Sequence, residues 1–158
     1  MDSEQKKGFT RRLSQCTSGE MIVIIYDICF AYLADIRQAH EKGDRQGQKE
    51  AVRSAQRTLD ELIKSLDFSY PISKNLYALY TFCKNQLSVA LYQNRMDGVN
   101  ETEKIMQKLY TGFLEAAKKD QSAPLMKNTQ QVYAGMTYAR GAVSEDYMDM
   151  DSHRGFLV

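Results

Sequence analysis

Apolar positions recur with a helical period in four blocks of this chain, and the first block is the most apolar. It runs from Glu20 to Ile36 and reads EMIVIIYDICFAYLADI. Ile22, Ile25, Tyr26, Cys29, Leu33 and Ile36 recur at spacings of 3 or 4, which makes one stripe on a helix. At about 100° per residue, Ile24 and Ile28 fall well outside that stripe, and Val23 and Phe30 flank its other side. A helix that is apolar nearly all round is either enclosed by neighbours or still needs a partner. The block opens on Thr17-Ser18-Gly19-Glu20, a capping box in which Thr17 caps the helix and Glu20 reaches back to it. The pattern predicts a helix from about Ser18 to Lys42, with Gly43 as the left-handed residue after its end.

The second block carries Ala51, Val52, Ala55, Leu59, Leu62, Ile63 and Leu66 on one clean face. Arg53, Arg57, Asp60, Glu61 and Lys64 lie mostly elsewhere on the wheel, as on an ordinary amphipathic helix. Asp44 is its expected cap. Asp67 to Pro71 reads as a loop, and the third helix is expected from about Ile72 to Arg95. Its main stripe is Leu76, Leu79, Tyr80, Cys83, Leu87, Ala90 and Leu91, and a second line holds Ala78, Phe82 and Val89. That second line is covered by a second layer of protein or is a contact surface. Met96-Asp97-Gly98 breaks the pattern. The fourth helix is expected to start near Asp97, or at a capping box from Asn100 to Glu103, and to end near Lys119. Val99, Met106, Leu109, Tyr110, Phe113 and Ala117 form its stripe, and Ile105 and Leu114 widen it to about half the circumference.

Outside these blocks the pattern weakens. Residues 1–16 are polar, with Phe9 and Leu13 as anchors, and read as an arm or a short cap. Beyond Pro124 no period is sustained, although Leu125 to Tyr138 is long enough for a short helix. Short connections between long helices favour antiparallel neighbours. The expected fold is therefore all-α: an antiparallel up-down four-helix bundle over residues 17–120, with an N-terminal arm at 1–16 and a C-terminal extension at 121–158.

Composition narrows the function. A chain of 158 residues with 43% hydrophobic and 26% charged residues is ordinary for a soluble domain. A net charge of +1 gives no electrostatic case for nucleic acid, and the Lys and Arg residues read as scattered. Residues 21–34 come closest to a membrane span, but Asp27 interrupts them, and about 18 apolar residues are needed. The start MDSEQKKGF is too polar for a secretory signal. Three cysteines without regular spacing argue against a disulfide framework and for a reducing cytosol.

Catalytic patterns are missing from the sequence. There is no glycine-rich phosphate loop. His40 and His153 have no metal-ligand partner at i+3 or i+4, and the Glu-x-x-His pairs of a di-iron bundle are absent. The reading is a protein that is not an enzyme and that needs no cofactor and no metal. Cys29 and Cys83 lie on core stripes and read as buried structural residues. Tyr26, Tyr80 and Tyr110 pair a core position with a hydroxyl that needs a partner, either at the rim of the core or on a bound peptide.

The ordered motifs resemble the flagellin export chaperones, the FliS family, over about residues 9–119. Phe9-Thr10-Arg11-Arg12-Leu13 followed by Ser18-Gly19-Glu20-Met21-Ile22 resembles the family's entry into its first bundle helix. Ile25-Tyr26-Asp27 resembles its Leu-Tyr-Asp signature. Ala55-Gln56, Glu61-Leu62 and Leu66-Asp67 resemble its second helix, and Asn75-Leu76-Tyr77-Ala78-Leu79-Tyr80 resembles the opening of its third. Asp97 stands where the family has an Asp opening the fourth. Val132 to Tyr138 resembles an extension carried by some Gram-positive members. The chain departs from the family at Ile28, in place of a glycine, at Tyr92-Gln93, in place of Ala-Asn, and at Phe9, in place of a tyrosine.

The resemblance implies a cytosolic chaperone that binds the disordered C-terminal segment of flagellin, blocks premature polymerisation and keeps the subunit ready for export. The implied partners are flagellin and the flagellar export apparatus. It also implies an N-terminal arm that occludes the groove until the client displaces it. Helical and extended pieces of such a client fit apolar grooves. The expected contact residues are Ile24, Ile28, Ala78, Phe82, Val89 and Ile105, with Tyr26 and Tyr80 as hydrogen-bonding hydroxyls. Two other readings compete: a homodimeric structural bundle that covers the same stripes by self-association, and a redox or small-molecule bundle around Cys29 and Cys83.

Overall fold

A computed structural model describes residues 1–125. Among them are five helices and no strand: α1 (Ser3–Leu13), α2 (Ser18–Glu41), α3 (Arg45–Lys64), α4 (Ile72–Gln93) and α5 (Asp97–Lys119). The expected short helix at 125–138 falls almost wholly outside the described residues.

Local signals set most of the helix ends. The Glu20 N–H donates to Thr17 Oγ1 at 3.2 Å and the Thr17 N–H donates to Glu20 Oε2 at 2.8 Å, so the expected capping box opens α2. Gly43 follows the α2 end at φ +68°, a conformation that costs a glycine little. Asp44 then caps α3, accepting from the Gly47 N–H at 2.8 Å. Pro71 directly precedes α4.

One expectation about ends needs correction, and of the two starts expected for α5 the structure has Asp97. The polar N-terminal stretch holds helix α1, closed by a second capping box in which the Gln5 N–H donates to Asp2 Oδ1 at 2.7 Å. No residue of α1 is buried, so there was little apolar period to read. Asn100 does not cap α5, which begins three residues earlier, at Asp97. Instead Arg37 of α2 donates to Asn100 Oδ1 at 3.1 Å and to Glu103 Oε2 at 2.6 Å. The polar pair bridges two helices.

The helices pack in a cycle. α2 lies against α3 and α5, α4 lies against the same two, and α1 lies on α2 alone. Tyr26, Cys29, Leu33 and Ile36 of α2 meet Val52, Ala55, Leu59 and Leu62 of α3, Leu76, Tyr80, Cys83 and Leu87 of α4, and Val99 and Met106 of α5. Each fully buried leucine contributes about 1.5–3 kcal/mol relative to exposure. α4 and α5 approach closely at Gly98, where a Cβ would lie 2.4 Å from the Gln86 carbonyl oxygen. The residues after α5 turn back over the start of α2. Asp120 Oδ2 accepts from the Gly19 N–H at 2.9 Å, and the Leu125 N–H donates to the Cys16 carbonyl at 3.0 Å. No described helix is long and apolar enough to cross a membrane.

Candidate partner-binding face

The outer face of α4 departs most from an ordinary surface. Of its eleven exposed positions only Lys74 is charged, whereas seven of the eight exposed positions of neighbouring α3 carry charge. Water-facing helix surfaces are normally charged, and a patch of apolar side chains without charge marks a contact site. Ala78, Phe82, Asn85, Val89 and Tyr92 are all exposed and recur at spacings of 4 and 3. They form one line about 21 Å long at a helical rise of about 1.5 Å per residue. Phe82 is 42% exposed, Val89 44% and Tyr92 90%.

The loop before α4 extends this face. Phe68 and Tyr70 are exposed, as are Ile72 and Tyr77 in the first turns of the helix. Phe68 and Tyr77 pack edge to face with ring centroids 6.0 Å apart, a geometry that aromatic quadrupoles favour. The loop is shaped by Asp67, whose carboxylate accepts from the Ser69 N–H at 2.9 Å and whose carbonyl accepts from the buried Ser73 hydroxyl at 2.6 Å.

The sequence-predicted contact residues divide into three groups. Ala78, Phe82 and Val89 lie on the α4 face. Ile28 is half-buried on α2, and Ile105 is half-buried on α5 in a recess with Glu101, Glu103, Lys104, Gln107 and Lys108. Ile24, Tyr26 and Tyr80 are buried and present no surface. Ile24 is 3% exposed beside a recess of about 370 Å³ that also touches Arg12, Cys16, Val23, Leu114 and Ala117. Residues near the end of α1 and at the end of α5 thus stand beside the buried Ile24, while Ile28 on the same line stays half-buried. The Tyr26 and Tyr80 hydroxyls hydrogen-bond each other at 2.7 Å inside the core, so neither is available to a peptide. Nor do the α2 and α4 lines share a groove, since α2 and α4 stand diagonally in the bundle and each has α3 and α5 as its backbone neighbours.

The exposed Tyr92 and the exposed aromatics at 68–77 are not among the sequence-predicted contact residues. Tyr92 continues the second line three residues beyond Val89, so its spacing was readable. Phe68 and Tyr70 lie in a loop, where no periodicity marks a face.

The buried groups show little chemistry. Burial holds the Tyr26 and Tyr80 hydroxyls above their ordinary pKa. Burial also pushes the Cys29 thiol up to about 12 and the Cys83 thiol up to about 11, far from the thiolate that a reactive cysteine needs. Cys16 is raised too, mainly by desolvation. No cluster of His, Cys, Asp or Glu able to hold a metal ion occurs among the described residues.

α1 is held to α2 by polar contacts. Arg12 pairs with Asp27 at 2.7 Å and sits over the Phe9 ring. With no buried residue, this helix has few apolar contacts to lose on leaving.

Comparison with known proteins supplies the family. No curated protein matches the chain. The family model described as Flagellar protein FliS matches residues 1–120. That span contains the five described helices, the Thr17–Glu20 capping box and the nearly uncharged outer face of α4. The match covers 120 of the chain's 158 residues, and the chain belongs to the FliS family, the flagellar export chaperones.

Proposed function

We propose that this protein binds the disordered C-terminal segment of flagellin in the cytosol, blocks its premature polymerisation and keeps it ready for export. The observation that carries this reading is the outer face of α4, with one charge among eleven exposed positions. An amphipathic client segment would lay its apolar side along Ala78, Phe82, Val89 and Tyr92 and reach the loop aromatics at Phe68 and Tyr70. Ile28 and Ile105, both half-buried, would serve pieces of the client that wrap onto α2 and α5. Flagellin thus contacts several separate patches and not one groove, which suits a client that is disordered until it binds.

The framework is an up-down-up-down bundle of α2 to α5. Short connections and the cyclic packing of the four helices support that arrangement. α1 covers part of α2 and is released when the client takes its place, uncovering Val23 and Ile24. The absence of any buried residue in α1 supports an easy release. Family membership supports a cytosolic location, delivery to the export apparatus and a role without catalysis.

The test is titration of the full chain with a flagellin C-terminal peptide, using the parent and Phe82→Asp. Loss of binding in a variant that keeps its helical content supports the α4 face. Undiminished binding removes it. Light scattering across a wide concentration range tests the competing reading, in which a second copy covers this face.

A further inference from the structure

The cations that read as scattered in the sequence are partly gathered by α3. Arg45, Lys49, Arg53 and Arg57 stand four residues apart, all exposed, so successive charges rise by about 6 Å along the helix. Arg45 is anchored across to α4, donating to Asn94 Oδ1 at 2.6 Å and to the Leu91 carbonyl at 3.1 Å. Arg57 reaches only the Arg53 carbonyl and Ser54 Oγ, each at 3.4 Å. None of the four forms an ion pair with a carboxylate among the described residues. The acids nearby are engaged elsewhere. Asp60 pairs with Lys84, Glu61 pairs with Lys64, and Glu50 accepts from Gln46.

Such a row does not stabilise its own helix. Like charges at i and i+4 repel, whereas a solvated face built for stability alternates sign at that spacing. We infer that the outer face of α3 is a docking surface for an acidic protein segment, a helix bearing Asp or Glu at every fourth position. Such a helix sets its carboxylates at the same axial step as Lys49, Arg53 and Arg57. A membrane surface fits less well, since every exposed residue of α3 is polar and nothing there would insert. Nucleic acid fits less well too. The net charge of the chain is +1, Glu50 and Glu61 interrupt the field on this helix, and no aromatic residue is exposed there to stack a base. The surface is on a different helix from the α4 face and does not depend on flagellin binding.

The experiment uses the full chain and a labelled, helical alanine-based peptide with glutamate at every fourth position. A matched glutamine peptide, a DNA duplex and phosphatidylserine–phosphatidylcholine vesicles run in parallel. Anisotropy at low salt is expected to show binding of the glutamate peptide above all the others. That binding should weaken about tenfold in the Lys49→Glu/Arg53→Glu/Arg57→Glu variant and on raising the salt to physiological strength. If the triple reversal disturbs folding, the Lys49→Gln/Arg53→Gln/Arg57→Gln variant gives the same reading without like-charge reversal. Three results would overturn the inference: no binding of the glutamate peptide, equal binding of the glutamine peptide or by the folded variants, or tighter binding of DNA or vesicles.

Discussion

The hydroxyls of Tyr26 and Tyr80 lie 2.7 Å apart at the centre of the helical core. They join α2 to α4, which stand diagonally across the core with α3 and α5 between their backbones. Both side chains are essentially inaccessible, so each hydroxyl depends on the other. Removing one leaves the other buried and unsatisfied, which costs about 1–3 kcal/mol. Tyr26→Phe and Tyr80→Phe should each destabilise by that order, and the double variant should cost clearly less than the two added. Urea unfolding of the four proteins completes the cycle. Strict additivity would mean that the hydroxyls do not depend on one another.

The same burial sets an alkaline limit. The folded pKa values of Cys29 and Cys83 lie above the ordinary value of 9.0, at about 12 and about 11. Those of the two tyrosines lie above 10.0. Above its ordinary pKa each group loses a proton more readily in the unfolded chain, so stability falls as pH rises. Stability from these groups should be intact at pH 8 and should decline from about pH 9 upward. Thermal unfolding between pH 8 and 11 measures it. The Cys29→Ala/Cys83→Ala variant should show a shallower decline in the lower part of that range.

Asp120 gives the opposite limb. N–H and hydroxyl hydrogen bonds from Ser122, with the Gly19 N–H, hold its carboxyl down at about 2 from an ordinary 3.8. A lowered pKa gives stability that is present above pH 4 and lost as pH falls toward 2. Asp120→Asn should therefore flatten the acid dependence of stability between pH 4 and pH 2. An unchanged acid profile would mean that the Ser122 and Gly19 hydrogen bonds to this carboxylate add no stability to the fold.

Two glycines predict opposite outcomes. A Cβ at Gly98 would lie 2.4 Å from the Gln86 carbonyl oxygen, whereas one at Gly112 meets nothing within 4 Å. Gly98→Ala must push α4 and α5 apart and should destabilise by about 1–3 kcal/mol. Gly112→Ala lies in an exposed helical position and should stabilise by about 0.5–1 kcal/mol. Chemical unfolding of both variants checks the close approach at the α4–α5 junction.

The helices of this chain were more legible than its surface. The period of Tyr26, Cys29, Leu33 and Ile36 identified the core side of α2, and Thr17 and Glu20 fixed where that helix begins. α1 was not legible as a helix because it buries nothing, so only the Asp2–Gln5 cap marked it. On the candidate face, the shared line of Ala78, Phe82 and Val89, all exposed, was readable because a second line on a long helix stands out. Ile24 falls outside the α2 stripe yet is buried, beside residues near the ends of α1 and α5 that the period of α2 does not show. Tyr26 and Tyr80 were misread because hydroxyls 54 residues apart satisfy each other, a pairing that spacing cannot show. The Arg45–Arg57 row was written in the sequence at regular intervals, but overall charge hid it.

The most direct measurement is calorimetric titration of the full chain with a flagellin C-terminal peptide at several temperatures. Ordering a disordered client on the α4 face buries apolar surface, so binding should show a large negative heat-capacity change. Phe82→Asp should weaken that binding about tenfold or more while leaving stability within about 0.5 kcal/mol of the parent, as expected for an exposed position. A well-folded monomer that does not bind the peptide, or a Phe82→Asp variant that binds it as the parent does, would contradict the assignment of this face to flagellin.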